Sequence, residues 1–131
     1  MGSMRKPTLT LVPLVFVLFS QGGPVLATGN AQLVHFATCA GRLSAQMEYQ
    51  WMFDGPASEK TAHQRAAMID LINAVMQEDE GRSVLHWRIS AKLAQSALLT
   101  RATFNNDASD AAWAAETAAR LTDECTSLIL S

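Results

Sequence analysis

His35 and Cys39 stand four residues apart, a spacing that puts an imidazole and a sulfur on one face of a helix. That pair of donors suits zinc or copper. It supplies only part of the ligand set such an ion takes, and His63 and His86 lie at no spacing that completes it. The only other cysteine is Cys125. A disulfide between the two would leave no thiolate, so the expectation is a structural bridge beside an incidental histidine, with no metal site.

Arg88, Lys92 and Gln95 follow one another at spacings of four and three, so they share one strip of a helix. With Arg42 or Arg65 from other helices they form a candidate clamp for a small dicarboxylate or phosphate, because guanidinium groups bind such anions through two parallel hydrogen bonds. Arg65 falls toward the apolar stripe of its own segment. The plainer alternative, which the sequence favours, is a solvated strip with the arginine stems lying over apolar neighbours.

Other chemistry is sparse. The chain has no G-x-S-x-G, no H-E-x-x-H, no P-loop and no glycine-rich dinucleotide turn. It lacks the C-x-x-C-H of covalent haem attachment. Met47, Met68 and Met76 fall on apolar stripes, where methionine fills core gaps. No cofactor is expected. The residues point to a non-enzymatic binding or accessory protein, with a small-molecule enzyme or carrier built on the Arg/Lys strip as the alternative.

The segments that must position these residues begin with a leader. Arg5 and Lys6 precede a short apolar run, Leu9 to Phe19. Ser20-Gln21-Gly22-Gly23-Pro24 breaks the run, and Val25-Leu26-Ala27 closes it in the small-residue pattern that signal peptidase reads. Residues 1–27 are therefore expected to be a cleaved secretory signal peptide, and 28–131 a single domain. The run is shorter than the ~20 residues needed to span a bilayer, so no stable membrane span is expected after cleavage. The address is periplasmic or secreted, and both compartments are oxidising.

The whole chain has 10 Lys+Arg against 12 Asp+Glu, a net charge of −2. Cleavage removes Arg5 and Lys6, leaving 8 against 12, or −4. A mildly acidic surface argues against nucleic acid and against anionic membranes.

Four apolar-periodic segments follow, rich in strong helix formers. The first, about 31–53, carries Leu33, Phe36, Ala40, Leu43, Met47 and Trp51 on one stripe; Asp54-Gly55-Pro56 ends it. The second, about 58–76, has Ser58 as its expected N-cap and Ala62, Met68, Ile69, Ile72, Val75 and Met76 as its apolar face. An acidic turn, Gln77 to Gly81, leads to the third, about 83–104. One side of that segment carries Val84, Trp87, Ala91, Ala94, Leu98 and Ala102, and another carries Ile89, Leu93 and Ala97. A helix apolar on two sides is covered by several neighbours or by another subunit. The fourth, about 110–130, has Asp107 or Ser109 as its cap and a stripe of Ala114, Ala118, Leu121, Cys125 and Leu128.

Short turns between four helices predict an all-α, antiparallel up-down-up-down four-helix bundle. In that topology Cys39 and Cys125 sit at matching depth, so one disulfide should join the first and last helices. Tyr49, Met52 and Trp113 lie off the core stripes. They are candidates for a contact surface or a cap over a loop, and together with the two-sided third helix they leave room for a protein partner or a homodimer.

Overall fold

The computed structural model describes residues 1–2 and 25–130 of the chain. The run expected to be a leader therefore lies almost wholly outside the described residues. Four helices make up the rest: α1 (Val25–Phe53), α2 (Gly55–Val75), α3 (Gly81–Phe104) and α4 (Ala108–Leu130). Among the described residues there is no strand, and no helix is long and apolar enough to cross a membrane.

The turns explain the helix boundaries. Asp54 alone separates α1 from α2; its carboxylate accepts from the Ala57 amide at 3.1 Å and caps α2. Ser58 is not the cap. It is buried one turn further in, its hydroxyl donating to the Gly55 carbonyl at 2.6 Å. Pro56 in the first turn starts the helix instead of stopping the previous one, since its missing N–H would find no intrahelical partner there. Between α2 and α3 the Gln77 amide donates to Glu80 at 2.9 Å. Asp107 caps α4, accepting from the Asp110 amide at 3.0 Å.

Side-chain pairings fix the helix directions. Gly41 faces Arg88, and Tyr49 meets Thr103, so α1 and α3 run parallel. Ser44 meets Arg65, so α2 is antiparallel to α1. Gln95 donates to the Ala118 carbonyl, and Arg101 pairs with Asp110, so α4 runs antiparallel to α3. This is the expected up-down-up-down bundle. Cys39 of α1 and Cys125 of α4 form the disulfide, with Cα atoms 5.3 Å apart.

The packing is less symmetric than a square bundle. The parallel helices α1 and α3 are in close contact, while among the described residues no Cα of α2 comes within 8 Å of one of α3, its successor in the chain. Gly41 is the cause. A Cβ there would lie 2.2 Å from the Arg88 carbonyl oxygen and 3.0 Å from the Ala91 Cβ. Ala37, Ala40 and Ala45 are buried around it, and small residues let backbones approach. Drawing these helices together leaves a groove between α2 and α3, floored by α1.

The main core joins Leu33, Phe36, Leu43, Met68, Ile72, Val84 and the disulfide, with Trp87 and Ile129 packed against it. A smaller cluster near the other end holds Ala45, Leu99 and Ala118. Two stripe assignments are corrected. Trp51 is 63% exposed; it stands in the last turn of α1, where the bundle ends and it borders an open cavity with Ser96, Leu99 and Thr100 of α3. On α3 the deeply buried positions are Val84, Gln95 and Leu99, while Ala94 is exposed. The helix is rotated so that Gln95 points at α4, where it finds acceptors. Ile89 and Leu93 of the second stripe are exposed.

Candidate functional site

Three of the five cationic and amide candidates converge. Arg65 of α2 and Arg88 and Lys92 of α3 line one cavity in the groove, together with Ser44, Met47 and Glu48 of α1 and Leu85 and Ile89 of α3. Its free volume is about 160 Å³, enough for a phosphate or a short carboxylate and smaller than a drug-sized pocket.

The side chains are held from the floor upward. Ser44 is buried on α1; its hydroxyl donates to the Ala40 carbonyl at 2.7 Å. That fixes the oxygen, which then accepts from Arg65 Nε at 2.7 Å. The terminal nitrogens of Arg65 are left for another acceptor. Lys92 Nζ meets Glu48 Oε1 at 2.6 Å, with both side chains about two-fifths exposed. Arg88 is half-buried and its guanidinium has no hydrogen-bond or ion-pair partner among the described residues. Burial, and after it the charge of Arg65, lowers the pKa of Arg88 below that of a free arginine. An arginine stays protonated at neutral pH even so. Two guanidinium groups therefore repel each other across a partly desolvated space.

With three cations and the single carboxylate of Glu48, the groove lining carries a formal charge of +2 in a chain whose net charge is −2. The arrangement can bind an anion and orient it. The Ser44 hydroxyl is committed to the Ala40 carbonyl and Arg65.

The other two candidates lie elsewhere. Arg42 is on the α4 side of α1, its Nη1 3.7 Å from Glu124 and 4.0 Å from Cys125 Sγ. Gln95 is 1% exposed; its amide nitrogen donates to the Ala118 carbonyl at 3.0 Å and to Thr122 at 3.2 Å, while its carbonyl oxygen is buried without a partner. Ser44 and Glu48 went unnoticed in the sequence. Their signal was the spacing Gly41, Ser44, Glu48, which places both polar side chains next to the helix crossing.

The contact-surface candidates share one end of the bundle. The half-buried Tyr49 hydrogen-bonds Thr103 at 2.9 Å and packs its ring 4.8 Å from that of Phe53. Trp113 is half exposed beneath the Arg101 guanidinium, 5.1 Å from the ring centre. Met52 is exposed and lines a second cavity of about 490 Å³ with Ala45, Glu48, Tyr49, Trp51, Ser96, Leu99 and Thr100. His35, His63 and His86 are exposed, Cys39 is in the disulfide, and among the described residues no three His, Cys, Asp or Glu side chains group to hold a metal ion. Compared with known proteins, the chain matches no family model, no curated protein and no solved structure.

Proposed function

We propose that the chain is an exported, non-enzymatic binding protein that holds a small anion, a carboxylate or phosphate, in the groove between α2 and α3. One observation carries this reading: Arg65, Arg88 and Lys92 meet in one cavity whose only carboxylate is already paired. A partly buried guanidinium without a partner is costly, and an anion that accepts two hydrogen bonds removes that cost. Export rests on the leader-like sequence of residues 1–27 and agrees with the Cys39–Cys125 bridge, which persists in an oxidising compartment.

Thermal unfolding in rising phosphate or succinate tests the reading. A ligand at 100 times its Kd stabilises the native state by about 2.7 kcal/mol, so Tm should climb with concentration. Arg88→Gln and Arg65→Gln should abolish the climb, and Arg42→Gln should not. Equal behaviour of all three variants would end the proposal.

A second reading is association with a protein partner or another copy through α3. The exposed Leu85, Ile89 and Leu93 favour it, because contiguous apolar surface on a helix marks a contact site. Light scattering on the eluting protein distinguishes monomer from dimer.

A further inference from the structure

The two cavities share a wall. Glu48 lines both the cationic cavity and the larger one beside it. Along α3 the lining passes from Arg88 and Lys92 to Ser96 and Leu99, and along α1 from Ser44 and Glu48 to Met52. Each stretch advances by two to three turns, about 12–16 Å. The chemistry changes along the way. One end offers paired arginines, the other Tyr49, Trp51, Met52 and Leu99. The divider is the Glu48–Lys92 ion pair, 2.6 Å across and about two-fifths exposed on each side. Such a pair contributes little and yields readily, and the stems of both side chains present methylene groups to whatever passes.

Resting on the anion reading, we infer that the ligand is an amphiphilic anion: a carboxylate or phosphate head seated between Arg65 and Arg88, with an unbranched or aryl apolar body lying past Glu48 into the cavity of Tyr49, Trp51 and Met52. The occupant follows from charge complementarity at one end and apolar lining at the other. A small anion would leave the larger cavity empty, and an uncharged apolar molecule would leave the Arg88 guanidinium without a partner. The exposure of Trp51 and Met52, 63% and 68%, is then explained as surface that the ligand body covers.

Calorimetric titration of the disulfide-bonded protein with acetate and with decanoate, kept below its micelle concentration, tests this. Decanoate should bind at least tenfold more tightly than acetate and should shift the tryptophan emission, a shift that Trp51→Phe removes. Arg88→Gln should weaken both ligands at least tenfold. Met52→Asp, at an exposed position where folding is not at stake, should weaken decanoate alone. Equal affinity for acetate and decanoate would overturn the inference and leave the anion reading standing. Decanoate binding that ignores Arg88→Gln would overturn it by placing the ligand in the apolar cavity only. Absence of binding by acetate, phosphate and decanoate alike would overturn both.

Discussion

Replacing Gly41 by alanine should destabilise the fold, although alanine is the better helix former. The added Cβ would stand 2.2 Å from the Arg88 carbonyl oxygen, where ordinary contact begins near 3.4 Å. The obstacle is backbone, so no side-chain rotation relieves it. The α1–α3 crossing must open by about the difference, 1.2 Å. Overpacking of this kind costs up to about 3 kcal/mol, and the higher helix propensity of alanine returns about 1. A net loss of up to about 2 kcal/mol follows, which for a domain of this size lowers Tm by up to roughly 10 °C. Urea and thermal unfolding of the oxidised protein, followed by tryptophan emission and circular dichroism, measure it. Gly81→Ala is the control, since nothing lies within 4 Å of a Cβ there; its stability should be unchanged or slightly raised. A Gly41→Ala variant as stable as the parent would refute the claim that this glycine sets the helix separation. Because the displaced atoms belong to Arg88, the same variant should also weaken anion binding.

Other outcomes are equally definite. Reducing Cys39–Cys125, which closes a loop with a sequence separation of 86, should lower the urea midpoint by the equivalent of up to about 4–5 kcal/mol in the chain-entropy treatment; an unchanged midpoint would contradict it. Gln95→Leu should be neutral or stabilising by about 1 kcal/mol, because it removes a buried carbonyl oxygen that has no partner, and Thr122 still donates to the Ala118 carbonyl at 3.0 Å; a loss of stability in chemical unfolding would count against this. The hydrogen bond from Arg101, opposed by desolvation and helped by the Arg101 charge and by Asn105, holds the Asp110 carboxyl below the usual aspartate pKa. A lowered folded-state pKa means that its contribution is complete above the unfolded-state pKa, ~3.9, and is lost as pH falls through the folded value. Carboxyl NMR titration should find Asp110 below free aspartate, and Asp110→Asn should flatten the acid limb of the stability profile.

The helices were legible because their apolar spacing is regular and their formers are strong. The disulfide followed from placing two cysteines at matching depth in that topology. Helix ends were harder. Pro56 and Gly55 read as a stop signal, yet the same residues serve as the first turn of α2 once Asp54 caps it. Gln95 illustrates a second limit. Its type argues for a surface, and only the Ala118 carbonyl and Thr122 across the α3–α4 contact make its burial tolerable. Arg65, Arg88 and Lys92 were visible as candidates, whereas their convergence depended on the α1–α3 approach at Gly41, which no single-helix pattern encodes. Arg42 carried the same charge and the wrong helix face. Trp51 had the right spacing for the core, but it stands in the last turn of α1 beside an open cavity.

The disulfide also decides what becomes of a cut chain. Gln77, Glu78 and Asp79 form an exposed turn between α2 and α3, the kind of site where proteases nick. A single cut there yields two helical hairpins, α1–α2 and α3–α4, each carrying one cysteine of the bridge. The bond holds them as one covalent molecule, at a local concentration far above that of free fragments. Ser44, Glu48 and Arg65 would sit on one piece, Arg88 and Lys92 on the other. Clipped protein should therefore run at full mass until a reductant is added, then separate into halves, each with an incomplete groove.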